Sequence, residues 1–253
     1  MDALAAATAI GAPLGVVGAA FYFSPEAGVR AEGVGLDVVS LYAAGRGAVL
    51  GDRTPAEVDE VFYFFKSGLI AGVVEAARAQ AGAADILAAH LGSADDFADA
   101  TYGSVDPTIL AAFDTAAARV VEALPTGRWP LVDGYRAQPM PGGTAASAYR
   151  RAVLLRELRG GIHRDAVEAA GLSAAVACQF DRGDDYYRLH GFGDDDRVPE
   201  TPATLAMRVG AEQATDAAMA DLLTVLDGAG LVDLVAGAEL LAATGPGVVL
   251  PSV

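Results

Sequence analysis

Cysteine is nearly absent from this chain: Cys178 is the only one in 253 residues. That excludes an intrachain disulfide framework and any cysteine-cluster metal site, and it fits a reducing cytoplasm. Basic residues are also scarce, 17 against 33 acidic ones, for a formal charge of −16. Such a surface favours solubility and repels phosphate backbones and anionic lipid, so neither DNA nor a membrane is an expected partner. Aromatics make up only 7% of a sequence that is 53% hydrophobic, much of it alanine. The core must therefore come from closely approaching helices with small residues between them. The three histidines, His90, His163 and His190, lack metal-ligand spacing, and no HExxH pattern or nucleophile elbow is present. Neither a metal nor an organic cofactor is expected, and covalent catalysis has no positive support.

What the sequence does have is helix punctuation. Ser24-Pro25, Thr54-Pro55 and Asp106-Pro107 each set a side-chain acceptor before a proline at the first helical position, and Thr54 with Glu57 completes a capping box. After Thr54, Val58, Val61, Phe62, Phe65, Leu69 and Val73 recur at helical spacing, with Tyr63, Phe64, Ile70 and Val74 widening the arc. This predicts one central, nearly surrounded helix. Ile109, Leu110, Phe113, Val120, Val121 and Leu124 predict a second helix, apolar on one face, that ends at Pro125. The uncharged run from Ala3 to Phe23 lacks a basic n-region and is interrupted by Gly11, Pro13, Gly15 and Gly18. It reads as a buried first helix rather than a targeting or membrane segment.

Residues 129–143, WPLVDGYRAQPMPGG, are too rich in proline and glycine for a regular helix to cross them. They read as a linker or strap between an N-terminal helical unit, 1–128, and a C-terminal unit, 144–253. In the second unit a helix through Tyr149, Val153 and Leu155 is expected to end near Gly160-Gly161. His163 to Phe180 then has the layout of a helix-turn-helix, with its turn at Gly171-Leu172-Ser173. A longer helix carries Met219, Leu222, Leu223 and Leu226, and Leu231-Val232 is expected to open a short strand, the order of a winged helix. The second helix of the helix-turn-helix, SAAVACQF, offers a DNA base only Gln179 as a long polar side chain, and negative charge follows it.

Several spaced segments carry a resemblance. YFSPEA at Tyr22–Ala27, LYAAGRGAVLG at Leu41–Gly51, VFYFF at Val61–Phe65, LRELRGGIH at Leu155–His163 and AGLVD at Ala229–Asp233 together resemble an actinobacterial family of helix-turn-helix-fold proteins. In that family one chain looks like two fused winged-helix units. This chain has Leu158 and Lys66 where the family often carries polar residues such as histidine. The resemblance implies a mainly α fold of tandem winged-helix-like units with minimal short β wings and, by analogy with repressors that sense small aromatic compounds, a ligand cavity.

The candidate site residues are Tyr22, Arg46, Phe62, Tyr63, Phe65, Lys66, Arg156, Arg159 and His163. Gly45-Arg46-Gly47 follows a helical stretch rather than a strand, so it reads as a tight interhelical turn and not a phosphate loop. The grouped aromatics either fill a core or line an apolar pocket whose polar groups orient a ligand. Arg156, Arg159 and His163 form either an interhelix salt-bridge cluster or a seat for a carboxylate or phosphate ester. The acidic run from Asp181 to Asp196 reads as a solvated loop, not a calcium site. The expected function is binding of a small, partly aromatic or apolar molecule with little DNA affinity. One alternative is an enzyme of acid-base or cyclase/isomerase type that needs no organic cofactor; another is a ligand-responsive transcriptional regulator.

Overall fold

The computed structural model describes residues 1–181 and 183–248. Thirteen α-helices and two short 3-10 turns account for its regular structure, and no strand occurs among the described residues. The N-terminal helices are α1 (Ala3–Val17), α2 (Pro25–Gly33), α3 (Val38–Ala48), α4 (Pro55–Val61), α5 (Leu69–Gln80), α6 (Ala83–Tyr102) and α7 (Pro107–Glu122). After them come α8 (Pro130–Arg136), α9 (Thr144–Ala169), α10 (Ala174–Gln179), α11 (Asp184–Leu189), α12 (Pro202–Leu223) and α13 (Gly228–Thr244). The mainly α fold class holds. So do the three proline-led helix starts: Ser24, Thr54 and Asp106 each accept a backbone N–H, and Glu57 closes the capping box at Thr54.

The central helix is α9, not the run after Thr54. It packs against α1, α6, α7, α8 and α12, and α13 closes the bundle against α1 and α7. The apolar stretch Ala3–Phe23, α1 and the turn after it, is long enough to cross a membrane by length and composition, yet Ala6, Ala7, Ile10 and Leu14 are fully buried inside this bundle. Small residues permit the close approaches: at Gly237 a Cβ would collide with the Phe113 ring, and at Gly45 it would lie 2.6 Å from His90. A residue larger than glycine at either point would force the helices apart.

The expected helix through FYFF is broken into α4 and α5. Asp59 causes the break, accepting the backbone N–H of Gly68 at 2.8 Å and of Ala71 at 3.1 Å, while Gly68 adopts φ +86°. These two bonds cap α5 and leave Phe62–Lys66 in a turn, so successive rings point to different neighbours.

Helix α9 does not end at Gly160-Gly161. It runs on to Ala169, and Gly161 is where Trp129 lies against it, 2.6 Å from where a Cβ would be. Within the segment 129–143, Pro130 starts the short helix α8. Leu231 and Val232 belong to the first turns of α13, capped by Asp227, so the expected strand is absent. Gly45, Arg46 and Gly47 likewise lie inside α3 and not in a turn. The errors at Gly160-Gly161 and at Gly45-Arg46-Gly47 have one physical root: tertiary packing of the helix overrides the local cost of glycine.

Candidate functional site

A cavity of about 510 Å³ opens between α3, the Phe62–Lys66 turn, the second half of α9, α10 and α12. Its floor is ionic. Glu157 on α9, with a side chain only 3% exposed, takes Arg46 Nη2 at 2.7 Å on one carboxylate oxygen. The other oxygen accepts Arg156 Nη1 at 2.6 Å and the Tyr22 hydroxyl at 3.0 Å. Arg46 also donates to the Tyr42 hydroxyl at 3.3 Å, and its guanidinium carbon lies 4.6 Å from the Phe62 ring centre. Local sequence makes room for this: Gly18 at the end of α1 accommodates the aliphatic stem of Arg156, and Gly11 the guanidinium of Arg159.

Burial alone would raise the Glu157 pKa, but Arg46 and Arg156 outweigh it and hold the carboxylate at about 2. Burial opposes the charge on Arg46 as well, and the attraction of Glu157 wins, leaving its pKa well above the ordinary value. Behind the floor, burial and the nearby Arg46 and Arg150 push His90 down to about 3; it shares a 2.6 Å hydrogen bond with the Tyr135 hydroxyl. Burial raises Tyr22 and Tyr135, so both are neutral phenols at physiological pH. Cys178 is pushed up to about 12 by burial and by Asp181, and it donates to the Phe64 carbonyl rather than existing as a thiolate.

The walls are aromatic above and charged at the rim. Phe62 is buried and faces Arg46, Phe64 stacks on His163, and Phe65 stacks on His190 at 4.3 Å. The Tyr63 hydroxyl donates to the Leu172 carbonyl in the turn of the helix-turn-helix. The FYFF aromatics therefore serve as both core and wall. On the rim Arg159 binds Glu212 at 2.7 Å and Asp216 at 3.4 Å, both on α12. His163 Nδ1 meets the Thr215 hydroxyl at 3.0 Å; because that hydroxyl donates to the Ala211 carbonyl, the imidazole is the donor. Burial lowers the pKa of His163, which keeps it neutral near pH 7.

Seven of the nine candidate residues, Arg46, Phe62, Tyr63, Phe65, Arg156, Arg159 and His163, come together on this cavity wall. Tyr22 sits behind the floor, where its hydroxyl donates to Glu157 and accepts from Arg156 Nη1 at 3.4 Å. Lys66 stands apart: its side chain is half exposed and ion-paired with Asp196 at 2.8 Å. Glu157 itself was missed. Its signal was present in LRELRGG, where one acid stands among arginines on an otherwise apolar stretch of helix. Trp129, in the supposed linker, also lines the cavity and donates to Asp165 at 3.3 Å.

The helix-turn-helix forms from the end of α9, a turn, and the six-residue α10. Cys178 is buried and the other residues of α10 are half-buried, and Ala177 and Cys178 face the cavity. Gln179 is tied to the backbone of Val198 by two bonds, donating to its carbonyl at 2.8 Å and accepting its N–H at 2.9 Å. Arg188 and Arg197 pair with Asp194, and Arg197 also with Asp184, on the acidic run beyond α10. Among the described residues no group of three or more metal-ligating side chains occurs. A profile described as a helix-turn-helix family matches residues 7–196. Neither the curated proteins nor the solved structures that were compared contain a match.

Proposed function

The chain belongs to the helix-turn-helix family, and on that footing we propose that it is a cytoplasmic small-molecule-binding protein with little affinity for DNA. The observation that carries this reading is the buried Arg46–Glu157 pair on the floor of a cavity walled by Phe62, Phe64, Phe65 and Trp129. A volume of about 510 Å³ lies within the ordinary range for ligand pockets, which are mostly apolar with a few placed polar groups. In this reading residues 1–128 and 144–253 are two winged-helix-like units without their wings, joined by 129–143, with the ligand between them. Weak DNA affinity follows from chemistry: Gln179 is already used, α10 is turned inward, and the charge of −16 repels phosphate. Acid-base catalysis draws less support, because Glu157 is a weak base and Cys178 a weak nucleophile at neutral pH.

The test uses Trp129, the single tryptophan. Nile red titrated into the protein should change Trp129 emission with one-to-one saturation, and Ala177→Phe, which fills the cavity, should abolish the change. Unsaturable binding, or binding unaffected by the filled cavity, overturns the reading. A second reading, a ligand-responsive regulator, is favoured by one specific observation: Ala177 and Cys178 put the helix-turn-helix itself in contact with whatever fills the cavity. Electrophoretic mobility of random duplex DNA at low salt, with and without the probe, separates the two. A shift that depends on the probe supports the regulator.

A further inference from the structure

The cavity floor is not charge-balanced. Arg46 is 9% exposed, Arg156 24% and Glu157 3%, so two cations and one anion share a largely buried site. An arginine cannot relieve this by losing its proton. The neighbours do not supply a second negative charge. Tyr22 and Tyr135 are neutral, His90 is neutral and would add positive charge if it titrated, and Tyr42 contributes a hydroxyl only. Of the other carboxylates on the wall, Glu212 and Asp216 pair with Arg159 and Asp165 with Arg128, while Asp181 acts on Cys178 and His163 rather than on the floor. Both oxygens of Glu157 are in use, while Arg46 Nε is buried without a hydrogen-bond acceptor. Arg156 bonds to protein through Nη1, leaving Nε and Nη2 without an acceptor among the described residues.

We infer that the ligand is an organic monoanion, a carboxylate on an aromatic or apolar body, whose charge sits against Arg46 and Arg156 and completes a ring of two cations and two anions with Glu157. This rests on the small-molecule reading above and names the chemical class that reading leaves open. The seat is the floor and not the Arg159–His163 rim, where Arg159 is already balanced by Glu212 and Asp216 and the imidazole is neutral. A carboxylate desolvated there gains charge-assisted bonds in a low-dielectric, aromatic setting, where they are stronger than in water. A neutral molecule leaves the buried excess charge as it was, and a cation adds to it.

The experiment compares three shape-matched probes, 3-phenylpropionate, 3-phenylpropan-1-ol and 3-phenylpropylammonium, by Trp129 emission at constant ionic strength. The carboxylate should bind at least tenfold more tightly than the alcohol, and the ammonium more weakly than both. Arg156→Met leaves the balanced Arg46–Glu157 pair, so it should still melt cooperatively by circular dichroism while the preference for the carboxylate falls to within about twofold. If Arg156→Met does not fold, Arg156→Gln, which retains hydrogen bonding to Tyr22, takes its place. Equal binding of carboxylate and alcohol to the unaltered protein overturns the monoanion and leaves the cavity reading intact. Saturable binding of none of the three at 10 mM, together with no response to Nile red, removes both.

Discussion

Helix α9 solves two different problems with its two halves. From Thr144 to Leu155 it buries Ala145, Ala148, Tyr149, Ala152 and Val153 in the bundle, and its one buried cation, Arg150, meets Asp95 one-to-one at 3.1 Å. From Arg156 onward the same helix brings Arg156, Glu157, Arg159 and His163 to a cavity, and there a buried and a half-buried cation share one carboxylate. The first half shows charge tolerated inside a core because it is matched. The second shows charge held in excess, and a buried ion pair is weak evidence for stability but a ready device for recognition.

The largest effect expected from breaking this contrast is at Glu157. Glu157→Gln removes the only carboxylate bonded to Arg46 and Arg156 among the described residues, and should cost about 3–5 kcal/mol in urea unfolding, as removal of one partner from a buried ion cluster does. Asp95→Asn should cost clearly less, because the Asp95 side chain is 32% exposed and Arg150 loses a solvent-screened partner. Equal costs would dissolve the distinction between the two halves.

Acid separates them next. His90 and His163 are held neutral in the folded state, so as pH falls below about 6.5 the unfolded chain binds protons that the folded one refuses. Stability therefore declines with falling pH, at a limiting slope of about 1.4 kcal/mol per unit for each histidine. The contribution of His90 persists down to about 3. Glu157 adds its own loss below 4.5, its ordinary value, until it protonates near 2. Denaturation midpoints between pH 7 and 5 should fall steadily, and His90→Gln should flatten that dependence without removing it. An unaltered slope in that variant would mean that His90 is not the group being held neutral.

A smaller effect tests the packing of the second half directly. Gly160 and Gly161 are adjacent on α9, yet a Cβ at Gly160 meets nothing within 4 Å whereas one at Gly161 lies 2.6 Å from Trp129. Gly160→Ala should stabilise by about 0.5–1 kcal/mol through helix propensity. Gly161→Ala should destabilise by about 1–3 kcal/mol through overpacking, and should shift Trp129 emission while its neighbour does not.

This pair also shows what the sequence could and could not disclose. Caps at Ser24, Thr54 and Asp106 were legible because a cap is made within four residues of itself. The glycine pair was read as a stop because its local cost is visible and the indole it accommodates is more than thirty positions away in the chain. The break after FYFF needed Asp59 to reach Gly68 and Ala71, a side-chain cap that hydrophobic periodicity does not register. Seven of the nine candidate residues met on one wall because aromatics and arginines are rare enough in an alanine-rich chain to be conspicuous. Glu157 escaped for the opposite reason: one acid among 33 acidic residues draws no notice until its burial is known.

The smallest expected effect concerns Lys66, the candidate that the fold sets apart. Its ammonium meets Asp196 at 2.8 Å, but the two side chains are 50% and 26% exposed, so water and salt screen the pair. Its backbone is the stronger link, since the Lys66 N–H donates to the His190 carbonyl at 2.8 Å, and no side-chain substitution removes that bond. Lys66→Ala should therefore change stability by less than about 1 kcal/mol and leave the affinity for 3-phenylpropionate within twofold. The residual effect should shrink further when the sodium chloride concentration is raised. A loss of affinity comparable with that of Arg156→Met would place Lys66 among the groups that hold the ligand's charge, and would move the anion seat from the buried floor to the exposed edge of the cavity.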